Sequence, residues 1–355
     1  MGRFPLIHIG ASVGAATVQL AAVQLVLEAD DATGAARVVE RGFLGRRRPP
    51  FTPYLPDGSL DVGAVGFLLL EMGANSPVLG KNIGGRVAAL SGYAAAEENA
   101  YWIGRALAEI DYSPYVCLRA GPHLGAVLAA YGGGAVAGSL TPEGEPRTVL
   151  NVDLGASVTK LALCRGGEVR ETAAIALGTR SLALDAAGGI LELRPAAARA
   201  AEDAGVSLRN GAAVDAVSRS RLGRRLADCV VGVITQASLD PLARGLMLTA
   251  PLSEARSIDA VSFTGGGAEY LYGRVDRDFG DLGGQMALAI REGIQPLGVA
   301  LEEPEHPLWA TALGGMHYRL QDGEVVFAEP ASFAAARERD RQFLASPERA
   351  AITTS

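Results

Sequence analysis

A glycine flanked by three polar residues marks the middle of the chain: Gly155 stands between Asp153 and the hydroxyls of Ser157 and Thr159. A carboxylate at the end of a strand can hold Mg²⁺ through water or orient an attacking water molecule. A glycine beside it lets backbone N–H groups approach phosphate oxygens, and the hydroxyls add donors or a metal ligand. One interpretation of this spacing is a phosphate-binding turn, with Asp153 as catalytic carboxylate and metal ligand. A plain β-hairpin with an aspartate in its turn fits these residues equally well.

Three consecutive glycines form a second candidate element. Gly265, Gly266 and Gly267 follow the apolar stretch Ala260–Thr264 and precede a helical pattern that begins at Ala268. Such a turn lets a nucleotide's adenosine or ribose lie on the backbone, and the start of a helix favours negative charge. Gly314, after the strand-like stretch Trp309–Leu313, completes the predicted nucleotide contacts of this half of the chain.

The segment around Asp153 has a similar segment earlier in the sequence. Residues 7–13 read Ile-His-Ile-Gly-Ala-Ser-Val, residues 152–158 read Val-Asp-Leu-Gly-Ala-Ser-Val, and Gly155 stands 145 positions after Gly10. This offset is about the size of one domain. The repeat indicates a duplicated architecture with two facing glycine loops, and it adds Gly10 and Ser12 to the predicted phosphate contacts.

Composition excludes several classes of function. The chain has 355 residues, a formal net charge of −7 and 49% hydrophobic residues, so nucleic acid is not expected as the main partner. No run reaches the roughly 20 unbroken apolar residues of a membrane span, so no membrane association is expected. The three cysteines form no CxxC pair and are typical of reduced thiols in a cytoplasmic protein.

The periodicity of apolar residues predicts which strands and helices carry these motifs. The first half predicts a strand, a loop and a strand over Phe4–Ile9, Gly10–Ala16 and Thr17–Leu27. The second half predicts an antiparallel meander over Thr148–Asp153, Thr159–Cys164 and Glu168–Ile175, then a long helix over Ala213–Ala237. The residues between Gly138 and Arg147 have the composition of a linker. We therefore expect three parts: a first lobe over 1–145, a second over 146–330 and a charged C-terminal tail over 331–355.

The order of these elements resembles a known superfamily. A meander with an acidic turn, a long helix and a strand–glycine–helix unit follow one another as in the ATP-binding folds of actin, hexokinase and heat-shock chaperones. The resemblance implies an α/β chain with a two-lobed actin-like ATPase fold, duplicated mixed-sheet domains and an inter-lobe nucleotide cleft.

A narrower resemblance covers roughly residues 4–320. The segments Ala120–Leu124 and Val149–Gly155 are similar to those of the reactivating factors of ethanolamine ammonia-lyase, the EutA family. Shorter similar segments are Phe51–Pro53, Ser91-Gly92, Asn99-Ala100, Arg224–Asp228, Pro241–Ala243, Ser262–Gly267 and Ala310–Gly314.

This resemblance implies an ATP-dependent chaperone that promotes exchange of damaged cobalamin in an adenosylcobalamin-dependent ammonia-lyase. ATP and Mg²⁺ are the implied cofactors. The implied partners are the lyase and either a second copy of the chain or a small partner subunit. The cobalamin itself is expected to stay with the lyase.

The phosphate loops depart from the family pattern. His8 stands where the family has the aspartate of its first loop, and Ala156, Ser157 and Val158 replace two glycines and a threonine in the second. Each added Cβ holds the backbone away from phosphate, so weak ATP hydrolysis at most is expected. The alternative is a degenerate actin-like relative that acts as a non-hydrolysing binding or regulatory subunit. A small-molecule kinase is a third reading, but only Asp153 offers a base.

Overall fold

The computed structural model describes residues 3–29, 36–45, 49–74, 83–109, 115–208, 213–235, 238–253, 258–317 and 331–345. Within these residues the chain forms two compact units. Unit 1 comprises residues 3–128 together with Thr311–Ala345, and unit 2 comprises Ala129–Ala310.

Twelve strands are present in the described residues. They are β1 Arg3–Val13, β2 Val18–Ala29, β3 Ala36–Gly45, β4 Ile83–Leu90, β5 Val116–Arg119, β6 Thr148–Leu154, β7 Thr159–Arg165, β8 Glu168–Ile175, β9 Leu182–Leu184, β10 Ile190–Leu193, β11 Ala260–Thr264 and β12 Ala300–Glu302.

Eleven α-helices accompany them in the same residues. They are α1 Val62–Ala74, α2 Glu97–Ala108, α3 Pro122–Gly132, α4 Ala135–Gly138, α5 Pro195–Asp203, α6 Ala216–Thr235, α7 Pro241–Leu246, α8 Gly266–Leu271, α9 Gly283–Ile294, α10 Ala310–Gly314 and α11 Ala331–Leu344. None of the described helices is both long and apolar enough to cross a membrane.

Unit 1 is built on a five-stranded mixed sheet in the order β3-β2-β1-β4-β5. The strand β2 is antiparallel to its neighbours β1 and β3, and β1, β4 and β5 are parallel. The apolar residues Ile9 and Val13 of β1 are buried in one core with Leu69 of α1 and Ile103 of α2. This packing fixes which face of β1 is covered by α1 and α2.

Unit 2 repeats this arrangement. Its sheet has the order β8-β7-β6-β11-β12, in which β6, β7 and β8 are antiparallel and β6, β11 and β12 are parallel. Leu150 and Val152 of β6 are buried with Leu226 and Val230 of α6, so one apolar side of the long helix packs on the sheet.

The two sheets have the same strand order and the same strand directions, counted from the first strand of each unit. The α/β class and the duplicated mixed sheets implied by the resemblance to actin-like ATPases are therefore confirmed.

The register corrects the predicted correspondence between the two halves. The first hairpin closes with Val13 opposite Val18, and the second closes with Leu154 opposite Thr159. Each turn has four residues, so Gly155 corresponds to Gly14 and not to Gly10. The predicted loop Gly10–Ala16 was wrong, because β1 continues to Val13.

The division into units differs from the predicted boundaries. The chain leaves unit 1 within α3 and not at residue 145. The segment expected to be a linker turns back on itself in unit 2, where Leu140 pairs with Pro146 and Arg147 forms an ion pair with Glu302 at 2.6 Å.

The C-terminal segment also differs from the expected charged tail. Phe333, Ala336 and Phe343 of α11 are buried, because this helix belongs to unit 1. Residues 346–355 of the predicted tail lie outside the described residues. The strand expected over Trp309–Leu313 is helical: a 3₁₀ turn over Pro307–Trp309 leads directly into α10.

Candidate functional site

Asp153 lies near the end of β6 in unit 2, and its side chain is paired with Lys160 of β7. The two residues are direct cross-strand neighbours. The Lys160 Nζ atom donates to Asp153 Oδ2 at 2.8 Å, and the side chains are 16% and 5% exposed. The carboxylate expected to hold a cation therefore already carries an ammonium partner. Sequence reasoning assigned no role to Lys160.

A chain of polar side chains leads to Asp153 from the neighbouring strand β11. The Ser262 hydroxyl donates to Asn151 Oδ1 at 3.2 Å, and Asn151 Nδ2 donates to Thr264 Oγ1 at 3.2 Å. Thr264 Oγ1 in turn lies 3.5 Å from Asp153 Oδ1, a long hydrogen bond. All four residues are buried, so this chain orients the carboxylate from the interior of the sheet.

The turn after β6 is held in place by the segment that follows β8. The carbonyl oxygens of Gly155 and Ala156 accept from the backbone N–H groups of Thr179 and Arg180 at 3.0 and 2.8 Å. A Cβ on Gly178 would lie 2.4 Å from the Gly155 carbonyl oxygen, so only glycine permits this approach. The turn is thereby fixed through its carbonyl groups.

Several donors of the same turn have no partner among the described residues. The backbone N–H groups of Ala156 and Ser157 donate no hydrogen bond to any described residue. The Ser157 hydroxyl oxygen is buried and also has no partner among the described residues. Buried hydroxyls are usually satisfied by a protein group, water or a ligand. The turn thus keeps the donors that a phosphate group needs.

The other predicted residue of this turn has a structural partner. The Thr159 hydroxyl donates to the Leu177 carbonyl oxygen at 2.9 Å, and the residue is fully buried. This hydrogen bond ties β7 to the segment after β8. The role of Thr159 in ligand binding stays a prediction.

The three glycines after β11 have three different surroundings. Gly265 has a φ of 82°, its N–H donates to the Pro307 carbonyl oxygen, and a Cβ would lie 2.7 Å from Asp153 Oδ1. Gly267 packs on Leu154, which a Cβ would approach to 2.4 Å. Gly266 is exposed, and apart from its own helix backbone and chain neighbours no atom of a described residue lies within 4 Å of the position of a Cβ. Only Gly266 therefore has open space beside its Cα.

Gly10 and Gly314 lie at close packing contacts in unit 1. A Cβ on Gly10 would lie 2.3 Å from the Ala312 carbonyl oxygen and 2.6 Å from Met316 Cε. A Cβ on Gly314 would lie 1.9 Å from the Leu128 carbonyl oxygen. Both glycines let α10 approach its neighbours, and their predicted contacts with a nucleotide stay predictions.

Ser12 takes the position in unit 1 that Asp153 takes in unit 2. Each residue is the last but one of its strand, before a four-residue turn. Ser12 is 8% exposed. His8 lies four residues earlier in β1, buried opposite Val23 of β2. The residue that replaces the carboxylate in the first copy is therefore Ser12, and the correspondence of His8 with Asp153 is not supported by the register.

The donor set at Asp153 does not fit a divalent cation. Mg²⁺ requires carboxylate oxygens, water and substrate oxygens in octahedral geometry. Here the Oδ2 atom of the Asp153 carboxylate accepts from an ammonium group instead. Among the described residues, no three His, Cys, Asp or Glu side chains come together as a metal site.

Related proteins cover nearly the whole chain. The ethanolamine ammonia-lyase reactivase EutA of Salmonella typhimurium is 28% identical over 93% of this chain and 71% of its own length. The protein of the same name from Escherichia coli is 26% identical over the same shares. Among solved structures, the Ppx/GppA family member of Aquifex aeolicus is similar at a TM-score of 0.48 and 13% identity, over 88% of this chain and 97% of that chain.

The family comparison agrees with the resemblance to the EutA family found over roughly residues 4–320. The model of the family described as ethanolamine utilisation protein EutA matches residues 5–325, which include every residue of the candidate site and, apart from Arg3 and Phe4, both five-stranded sheets. The chain therefore belongs to the EutA family.

Proposed function

We propose that this chain is a reactivating chaperone for an ethanolamine ammonia-lyase. The observation that carries the proposal is the match of the EutA family over residues 5–325, joined by two relatives that are named reactivases of that enzyme. The candidate site of unit 2 lies within the matched residues. The non-hydrolysing regulatory alternative has no comparable support.

The proposed action is the exchange of damaged cobalamin in an adenosylcobalamin-dependent lyase. A chaperone can loosen its target only if it binds one conformation better than another. In this proposal a nucleotide shifts the chain between states with different affinity for the lyase. The cobalamin stays with the lyase throughout, and the chaperone acts either with a second copy of itself or with a small partner subunit.

The nucleotide is proposed to be ATP, with its phosphates at the turn of unit 2. The N–H groups of Ala156 and Ser157 and the Ser157 hydroxyl are donors without a partner in the described residues. The exposed Gly266 offers backbone that a nucleoside can approach. These features support binding, whereas the pairing of Asp153 with Lys160 supports only slow hydrolysis.

A cytoplasmic location is part of the same proposal. Cys117, Cys164 and Cys229 are all free thiols, and burial raises the pKa of Cys117 to about 11. Unreactive free thiols are common in proteins of reducing compartments.

The test is recovery of an inactivated lyase. Ethanolamine ammonia-lyase that has lost the adenosyl group of its coenzyme is incubated with this protein, ATP and fresh adenosylcobalamin, and ammonia release is followed. We expect activity to return with ATP and not without nucleotide. The Salmonella reactivase is the positive control. If that relative restores the lyase of this protein's own source and this protein does not, the proposal is wrong.

A further inference from the structure

Lys160 lies where the hairpin register brings a positive charge onto Asp153. The four-residue turn Gly155–Val158 joins β6 to β7, so Leu154 faces Thr159 and Asp153 faces Lys160. The lysine side chain is 16% exposed, although a charged residue in a strand usually lies on an open face. The register therefore makes the ion pair a property of the hairpin itself.

The ion pair already compensates the negative charge of Asp153, so this carboxylate needs no metal cation. A buried carboxylate is costly unless a positive charge or several donors compensate it, and Lys160 supplies that charge at 2.8 Å. A hydrated Mg²⁺ at the same carboxylate would lie within a few ångströms of the ammonium group, where like charges repel. The two cations therefore compete for one site.

The ammonium group keeps donors for a ligand. A lysine has three N–H donors, and Asp153 is its one hydrogen-bond partner in the described part of the chain. Two donors remain beside a turn whose Ala156 and Ser157 N–H groups and buried Ser157 hydroxyl are also without partners there. Lysine binds phosphate as a compact point charge.

We propose that Lys160 takes the place of Mg²⁺ at the nucleotide site, so that the phosphates of a nucleoside di- or triphosphate bind this chain without a metal ion. The inference rests on the proposed nucleotide binding and deepens it. Asp153 becomes a positioning residue that holds the ammonium group, and it is no longer a metal ligand.

The test measures binding of ADP and ATP by calorimetry, once with excess Mg²⁺ and once with EDTA. We expect the wild-type protein to bind with similar affinity in both. In EDTA, Lys160→Met is expected to weaken binding about 10- to 100-fold, the value of hydrogen bonds to charged groups. Mg²⁺ should restore part of the affinity of this variant, because its Asp153 is free to accept the ion.

Two controls separate this role from a structural one. Arg224→Met breaks an ion pair of similar length on the surface, between Arg224 and Glu292 at 2.6 Å, and should leave both affinities unchanged. Lys160→Arg keeps the positive charge and should keep binding in EDTA. Circular dichroism and the melting temperature of each variant show whether it is folded.

Wild-type binding that requires Mg²⁺ would overturn this inference and leave the proposed nucleotide binding intact. Absence of binding in both buffers would contradict nucleotide binding itself, whatever the lyase assay gives. Neither result depends on whether Lys160→Met folds, because both come from the wild-type protein.

Discussion

The carboxylate of Asp340 accepts a hydrogen bond from the backbone N–H of Leu124 at 2.8 Å, although the two residues are 216 positions apart. It also accepts from the N–H of His123 at 2.9 Å. Because α3 begins at Pro122, α11 supplies the cap for the first turn of α3. A Cβ on Gly121 would lie 2.6 Å from Asp340 Cγ, which explains the glycine before the proline.

Asp340→Ala should lower the free energy of unfolding by about 1–3 kcal/mol, since it leaves buried N–H groups without an acceptor. Chemical denaturation followed by circular dichroism measures the change. Glu338→Ala is the matched control, because Glu338 is exposed on the same helix and forms only a surface ion pair with Arg341. Equal stability of the two variants would contradict the capping role.

Asp340 and His123 should give unit 1 two opposed pH dependences. Burial raises the pKa of Asp340 to about 6, so its protonated form is favoured and the free energy of unfolding falls as pH rises from about 4 to 6. Burial first, and then the charge of Arg339, lower the pKa of His123 to about 4. Its neutral form is favoured, so the free energy of unfolding falls as pH drops from about 6.5 to 4.

Single variants separate the two contributions. Relative to wild type, His123→Asn should gain stability as pH falls below 6.5. Asp340→Asn should lose stability relative to wild type as pH falls from 6 to 4, by at most about 3 kcal/mol. The His123 effect is smaller because solvent screens its partly exposed ring. Thermal melts between pH 4 and 7 measure both, and parallel profiles for all three proteins would contradict the assignment.

Gly10→Ala should destabilise unit 1 by about 1–3 kcal/mol, because the new methyl group would overlap the Ala312 carbonyl oxygen. Gly14→Ala is the control, since the nearest atom to its Cβ lies 3.8 Å away. We expect its free energy of unfolding to stay within about 0.5 kcal/mol of wild type. A larger loss for Gly14→Ala than for Gly10→Ala would contradict the packing role of Gly10.

Gly266→Ala and Gly267→Ala should separate ligand binding from folding. Gly267→Ala drives a methyl group into Leu154 and should lower the melting temperature. The new methyl group of Gly266→Ala meets no side chain of the described residues, so the fold should be unaffected. ATP affinity should fall if the nucleoside lies on this backbone. Calorimetry and thermal melts of both variants give the answer, and unchanged affinity in Gly266→Ala would place the nucleoside elsewhere.

Hydrolysis should be slow and should require Asp153. We expect purified protein to release phosphate from ATP at a low rate, and Asp153→Asn to abolish the release while the protein stays folded. Phosphate release that is the same in both proteins would exclude a need for the Asp153 carboxylate in hydrolysis.

The sequence predicts the meander of unit 2 well because its local signals agree. β8 and β11 have the predicted bounds, and Gly166 and Gly167, with φ values of 61° and 79°, form the turn before β8. Positive φ at both residues suits a tight hairpin. The alternation of apolar and polar residues and the glycines of the turn lie within a few residues of each other. These strands can therefore be predicted without knowledge of distant contacts.

The end of β1 could not be read in the same way. Gly10, Ala11 and Ser12 are small residues typical of a turn, and what keeps them in a strand is pairing with β2 and β4 and contact with α10. The ion pair of Lys160 with Asp153 was missed for a different reason. A four-residue turn after Leu154 already places Lys160 opposite Asp153, so the ion pair was available from the sequence once the turn length was fixed.

The return of the chain to unit 1 has a consequence for biosynthesis. The part of unit 1 that a ribosome makes first, residues 3–128, lacks α11 until every described strand and helix of unit 2 has been made. The earlier-made half therefore has to wait for its own C-terminal helix, with the start of α3 uncapped in the nascent chain.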